Sequence, residues 1–366
     1  NKNINYKLGL GKHFLYEPFN ITGCTNSMEI NKYLTKMLTY KSKILNLSVA
    51  SCKINLTTID LLKEFIYLNT LNISKVSLNL SLQVPEIKSL TSLNISSNKL
   101  DAKSVEYISK LKSLKILDIS HNHIGSINKI SSVLGLEYLS ELKLLTTLNI
   151  SHNKIKYDLS PSLTNLKLLT TLNISYNLIG NAGAYIISQL TSLTSLNISG
   201  CDLQTISVNY ISNLKSLTRL NIAYNWLAAD SLKDIGKLTL LTKLEINGNP
   251  IGSRGAFYLS RLLSNLVLLN ISGSKINTEG AEYISTIKSL VELDIGFNNI
   301  GTKGAEYIST LPLLTELDIR KNNIDTEGIE FILKLPLLIK LDIRENNIDV
   351  QIIKKKFPKL SQNWKI

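Results

Sequence analysis

Leu314-Thr-Glu-Leu317-Asp-Ile319-Arg-Lys-Asn322-Asn-Ile324 has the form L-x-x-L-x-I-x-x-N-x-I, and the pattern recurs along almost the whole chain. Positions equivalent to Asn322 fall at Cys52, Val76, Asn98, Asn122, Asn153, Asn177, Cys201, Asn225, Asn249, Ser274, Asn298 and Asn346, mostly 24 residues apart. Phe19-Asn-Ile21-Thr-Gly-Cys24 reads as one more, degenerate copy, set 28 residues ahead of Cys52. A unit of this size cannot bury its own apolar face, so a fixed period implies stacked copies sharing one elongated interior.

Each copy divides into two halves. Glu316–Arg320 reads as a short strand whose alternation sends Leu317 and Ile319 inward and Glu316, Asp318 and Arg320 outward. Gly304-Ala-Glu-Tyr-Ile-Ser-Thr-Leu311 reads as a helix with Ala305, Ile308 and Leu311 on one face. Gly183-Ala184, Gly255-Ala256 and Gly280-Ala281 repeat that opening, with Gly expected at the tight turn into the helix and Ala at its close packing. Tyr107, Tyr210, Tyr258, Tyr283, Tyr307 and Phe331 form one helical column, expected to pack between repeats.

These motifs, Gly-Ala-x-Tyr-Ile-Ser followed by Leu-x-x-Leu-x-Ile-x-x-Asn, identify the chain as a leucine-rich repeat protein and resemble the GALA-type repeats of bacterial effectors over roughly Ile44 to Ile348. The resemblance implies an α/β leucine-rich repeat solenoid, curved, with a parallel sheet on its concave face and helices on its convex face. Residues 1–40 read as an N-terminal cap with the degenerate repeat, 41–348 as about thirteen repeats, and 349–366 as a helical C-terminal cap plugged by Trp364. Two departures interrupt the period. Seven extra residues lie within Gly125–Leu139, and the next repeat, Lys156–Leu163, carries Pro161 and lacks the Gly-Ala opening. Insertions of this kind mark either a contact surface or a tolerated loop.

At 44% apolar and 19% charged residues the composition is that of a folded chain, without an apolar run long enough to span a bilayer. The start, which lacks both Met and a signal core, reads as processed or trimmed. All three cysteines (Cys24, Cys52, Cys201) fall at the Asn position and are expected to be small inward residues rather than a disulfide cap. Asn-Ile-Ser acceptors at Asn72, Asn94, Asn149, Asn173, Asn197 and Asn270 sit inside predicted strands, where glycans would crowd the sheet. Both features point away from a eukaryotic secretory route, toward the cytoplasm or delivery into a host cell. The net charge of +13 admits nucleic acid, acidic proteins or anionic membrane as partners, with scattered Lys more consistent with a solvated surface.

Chemistry is sparse. His121, His123 and His152 lie in adjacent repeats about 5 Å apart by strand spacing, but a zinc site wants four ligands and no fourth is evident. No nucleophile–base pair and no phosphate loop stands outside the repeat pattern, so the expectation is a chain that is no enzyme and holds no cofactor or metal. The sheet face remains. Its outward residues are small and neutral in the middle repeats and charged from Arg219 onward, with Asp294, Asp318 and Asp342 forming an acidic ladder beside Arg320 and Arg344. The position after each strand carries His121, His152, Tyr176, Tyr224 and Phe297, with Trp226 beyond. Aromatics of this kind anchor interfaces. The expected docking surface is therefore Tyr176, Arg219, Tyr224, Trp226, Lys243, Phe297, Arg320 and Arg344, and the expected function is protein–protein recognition by an effector or adaptor. The alternatives are a receptor for nucleic acid or carbohydrate, or the recognition part of a ubiquitin-ligase substrate receptor. That last role follows from relatives with an F-box, for which residues 1–40 hold no counterpart.

Overall fold

The computed structural model describes residues 19–76, 85–125, 134–157, 159–356 and 364–365. It divides into two compact units, Asn1–Ser192 and Leu193–Ile366. In the first, seven strands lie side by side in chain order: β1 (Phe19–Asn20), β2 (Asn46–Ser48), β3 (Thr70–Asn72), β4 (Ser92–Asn94), β5 (Ile116–Asp118), β6 (Thr147–Asn149) and β7 (Thr171–Asn173). The second holds β8 (Ser195–Asn197), β9 (Arg219–Asn221), β10 (Lys243–Glu245), β11 (Leu268–Asn270), β12 (Glu292–Asp294), β13 (Glu316–Asp318), β14 (Lys340–Asp342) and β15 (Trp364–Lys365). They too are parallel neighbours in chain order. Helices or single helical turns connect most successive strands, so each unit is an α/β stack of leucine-rich repeats.

Alternation sets the core as expected. Leu317 is 3% exposed and Ile319 fully buried, and their equivalents repeat this along both units. The strands from β2 to β14 are only three residues long because the chain must turn immediately to enter the next half-repeat. That turn exposes backbone groups to the interior, and the recurring Asn satisfies them. Asn122 Oδ1 accepts from the N–H groups of Asn98 and Leu100 in the preceding repeat at 2.8 and 3.0 Å. Its Nδ2 donates to the carbonyls of Ile119 and Ile95 at 2.9 and 3.2 Å. Asn177 and Asn225 make the same set, and Asn322 accepts from the Ile300 N–H and donates to the Ile319 and Ile295 carbonyls. Where Cys replaces Asn it is a buried thiol outside any disulfide, and Cys52 Sγ still meets the Ile21 carbonyl at 3.5 Å.

Helix starts follow local capping chemistry. Asn55 and Asp101 close capping boxes with Thr58 and Ser104, and Asn277 and Asp325 accept from the N–H of Gly280 and Gly328. The motif glycine sits inside the helix, not at the turn before it. Helix Gly301–Ile308 begins three residues ahead of Gly304, so Gly304 lies within its first turn rather than at the turn into it. Its role is close approach, because a Cβ there would stand 2.6 Å from Ile300 Cβ. Gly183 and Gly255 meet Ile179 and Ile251 in the same way.

The repeat carrying Pro161 folds as a 3₁₀ turn, Pro161–Asn165, capped by Ser160. Proline at a first helical position costs no hydrogen bond, and a short turn needs no Gly-Ala packing. The aromatic helical column is half-buried, and its members meet neighbours and cations. Phe257 stands edge-on to Tyr283 in the next repeat at 5.3 Å, and Lys233 covers Tyr258 at 5.1 Å. At the C-terminal end the expected cap is in part a strand. Helix Val350–Lys356 is followed by β15, where Trp364 pairs with Leu341 and donates Nε1–H to the Ile339 carbonyl at 3.2 Å. Trp364 is thus an edge residue, half-exposed, rather than a core plug. Phe357 and Leu360 of that cap, Lys2, Lys7 and Lys12 near the start, and most of the Gly125–Leu139 insertion lie outside the described residues.

Candidate functional site: the outward face of the sheet

One backbone position organises the rim of the sheet face. The residue before each ladder Asn adopts a left-handed conformation, from Gly23 (φ 69°) through His121 (53°), His152 (52°), Tyr176 (54°), Tyr224 (52°) and Phe297 (52°) to Lys321 (53°) and Glu345 (58°). Aromatics are unfavourable there, at a cost on the order of 1 kcal/mol each, so their contacts must compensate. In the first unit His121 stacks on His152 with centroids 4.2 Å apart, and His152 stacks on Tyr176 at 4.4 Å. Burial, then the neighbouring His121, holds the His152 pKa below the usual histidine value. Two stacked rings face each other through their π surfaces, which is not how imidazoles share a metal, and no metal-ligating group of three or more side chains occurs among the described residues.

The rest of the first unit's sheet face is self-contained. Ser151 and Ser175 hydroxyls donate to Asn149 and Asn173 Oδ1, each at 2.8 Å. Such pairs tie each hydroxyl proton to a neighbour and bring no charge to this face.

The second unit differs. In register, Asp294, Asp318 and Asp342 stand side by side on β12, β13 and β14, and Glu292, Glu316 and Lys340 form the adjoining column. Arg320 and Arg344 lie against Asp318 and Asp342 at 3.1 and 2.6 Å, and Lys340 pairs with Glu316 at 2.6 Å. Glu292 and Asp294 form no ion pair among the described residues. Glu245 on β10 takes the Asn221 carboxamide at 2.9 Å rather than a cation. Burial raises the Glu245 and Asp294 pKa values. Burial, followed by the charge of Asp294, pushes Asp318 up to about 6. Burial also works upward on Asp342, but the Arg344 guanidinium outweighs it and holds that carboxyl below its ordinary value. These carboxylates line a depression of about 480 Å³ that runs from Glu245 to Asp342, with Lys365 at its margin.

None of the eight residues singled out from the sequence lines this depression; Arg320 and Arg344 reach it only through their ion pairs with Asp318 and Asp342. Arg219 and Lys243 are paired in register on β9 and β10. Tyr224 is 59% exposed and Trp226 73% exposed. The Tyr224 ring lies over Gly248, where a Cβ would come within 2.6 Å of it. Phe297 carries the Arg320 guanidinium at 5.0 Å and the Lys321 ammonium at 5.2 Å over its ring. Tyr176 belongs to the stacked group of the first unit. Lys321 and the orphaned carboxamide oxygen of Asn247, which is buried without a partner, escaped the sequence reading. Outward alternation from Glu245 would have placed Asn247 on this face.

A family model described as a leucine-rich repeat region matches residues 125–364, and a second, leucine rich repeat, matches residues 88–155. The chain belongs to the leucine-rich repeat family. Among solved structures, this leucine-rich repeat chain is similar to an internalin from Listeria monocytogenes at 21% identity and TM-score 0.62, covering 85% of this chain and 92% of that one. It is also similar to the plant peptide hormone receptor RGFR1 in complex with RGF2, at 20% identity and TM-score 0.50, covering 90% and 63%. At these identities the likeness concerns the fold. No curated protein matches the chain. The repeats are of a kind that typically serves as a recognition scaffold, and no helix among the described residues is long and apolar enough to cross a membrane.

Proposed function

We propose that this leucine-rich repeat chain is a non-catalytic protein-recognition module that docks its partner on the outward sheet face of the second unit. The observation that supports this most is where exposed anchors and charge coincide. Tyr224, Trp226 and Phe297 are exposed in repeats whose strands carry Arg219, Lys243 and the carboxylate columns, whereas the outward residues of the first unit are mostly small and neutral, with hydroxyls bonded to neighbouring carboxamides. Exposed aromatics beside partly paired charges are the residue types that carry interface energy. Tyr176, with the His121–His152 stack, offers a separate rim contact on the first unit.

The net charge of +13 supports a second reading, a nucleic-acid or other anionic ligand on the remaining surface. Backbone phosphates would meet six carboxylates around the depression, so that ligand belongs away from this face. Three buried cysteines outside any disulfide fit a reducing compartment, and with the Gly-Ala helix openings they support an effector or adaptor role inside a cell. A substrate-receptor role is the same recognition step joined to another domain.

Affinity capture followed by cross-linking and mass spectrometry tests the reading. Cross-links should cluster at Lys243, Lys321 and Lys340, and Tyr224→Ala/Trp226→Ala should lose the captured protein. Cross-links confined to lysines on the helical side, with capture unchanged in the double variant, would reject the sheet face as the docking surface.

A further inference from the structure

We infer that the partner segment seated in the second unit's depression is an extended, arginine- and lysine-bearing stretch of a protein chain. The inference rests on the recognition role proposed above and adds the chemistry of what is recognised. Four observations carry it.

The first is sign. A chain of net charge +13 places six carboxylates around one depression on β10 to β14, against Lys340 and Lys365 in its lining and Arg320 and Arg344 beside it. Those cations are engaged locally: Arg320, Arg344 and Lys340 each neutralise a carboxylate on their own or the neighbouring strand. Glu245, Glu292 and Asp294 form no ion pair among the described residues and feel Lys243, Lys340 and Arg320 only at longer range, and a field of this kind attracts and orients a cationic ligand.

The second is an orphaned acceptor. Asn247 projects from the same face as Glu245, one alternation step along the chain, and is 9% exposed. Its Oδ1 has no hydrogen-bond donor among the described residues, as Arg320 Nε has no acceptor, and Asn247 is not itself part of the depression's lining. A buried carbonyl-type oxygen without a donor carries an unrepaid desolvation penalty, and guanidinium or ammonium groups supply donors without bringing acceptors of their own.

The third lies along the rim. The Phe297 ring already holds two cations, Arg320 at 5.0 Å and Lys321 at 5.2 Å, showing that this rim position presents a ring face to positive charge. Tyr224 and Trp226 are more exposed and carry no such cation among the described residues, so the Trp226 ring and the Tyr224 face turned away from Gly248 are open to the partner's arginine or lysine.

The fourth is spacing. Carboxylates in register on adjacent parallel strands repeat at about 4.8 Å, and an extended chain advances about 3.3 Å per residue. A segment crossing the strands therefore meets a new carboxylate every one to two residues, which suits an irregularly spaced basic stretch.

The probe is a fluorescein-labelled twelve-residue peptide alternating Arg and Ser, read by anisotropy at 50 mM and 300 mM salt against the full chain. An alternating Glu and Ser peptide serves as the opposite-charge control. The basic peptide should bind and the acidic one should not, and Glu292→Gln/Asp294→Asn should weaken binding at least tenfold. The control Glu282→Gln/Glu327→Gln, which removes two exposed carboxylates from the helical side, should leave affinity within twofold. Thermal melts of each variant confirm that the fold is retained. Equal loss in both double variants, or equal binding of the two peptides, overturns the inference. So does a captured protein that cross-links to the sheet face yet keeps its affinity for Glu292→Gln/Asp294→Asn. That last result leaves sheet-face recognition standing and removes only the assignment of charge.

Discussion

Asn122 and Asn98, one repeat apart, are joined by a hydrogen bond from the Asn98 backbone N–H to the Asn122 side-chain oxygen at 2.8 Å. The same side chain serves Leu100, Ile95 and Ile119, so one carboxamide satisfies buried backbone groups in two repeats. Asn122→Ala should therefore cost more than an ordinary core truncation of its size, about 2–4 kcal/mol from the donors and acceptors left unpaired. Asn122→Cys should cost less, since Cys occupies the equivalent place at Cys52 and Cys201. Urea denaturation midpoints check both, and a loss under about 0.5 kcal/mol for the alanine variant would contradict the assignment.

Asp318 makes stability depend on pH in an unusual direction. Its folded pKa, about 6, lies above the ordinary carboxylate value, so the native state holds this proton more tightly than the unfolded chain. Its contribution is fully present below the unfolded value near 4 and is lost as pH rises through about 6. Asp318→Asn should accordingly stabilise the protein at pH 7.5, by on the order of 1–2 kcal/mol less whatever the Arg320 contact contributes, and flatten the profile between pH 4 and 6.5. Denaturation curves at pH 4.5, 6 and 7.5 read this directly. A variant less stable than the parent at pH 7.5 with an unchanged profile would show that Arg320 already neutralises the site.

The pairing of Gly248 with Tyr224 predicts coupling. Gly248 has φ 69°, and a Cβ there would collide with the Tyr224 ring at 2.6 Å. Gly248→Ala should destabilise by about 1–3 kcal/mol through backbone strain and displacement of that ring. In a Tyr224→Ala background the steric part disappears and only the strain remains. A double-mutant cycle should show a non-additive term, whereas strict additivity would mean the ring does not rest on the glycine.

The cysteines should be chemically quiet. Burial, reinforced by Cys52, pushes the Cys24 thiol up to about 11, so at pH 8 it is almost entirely protonated. All three side chains are buried. Ellman titration of the native protein at pH 8 should be slow, and 8 M urea should release three thiols promptly. Rapid native reaction would place at least one cysteine outside the interior.

Much of the architecture could be read from residues such as Leu317, Ile319 and Asn322, because strand alternation and the inward carboxamide impose a strict spacing that survives in single copies. Gly304 was misread because Gly-Ala marks where the helix packs, not where it begins; the start is set three residues earlier by Gly301. Trp364 was misread because a two-residue strand carries too little pattern to distinguish it from a helical cap. At the candidate site the alternation placed Asp294, Asp318 and Arg320 on the correct face. It could not reveal that His121 and His152 stack, or that Lys321 reaches Phe297, since both depend on side chains leaving a left-handed backbone position.

Carbodiimide footprinting of carboxylates, with and without the cross-linked partner bound, tests recognition on the second unit's sheet face most directly. Glu245, Glu292 and Asp294 should be shielded on binding while Glu282 and Glu327 on the helical side keep their labelling. Shielding of the helical pair, with the three sheet-face carboxylates labelled as in the free protein, would contradict the account.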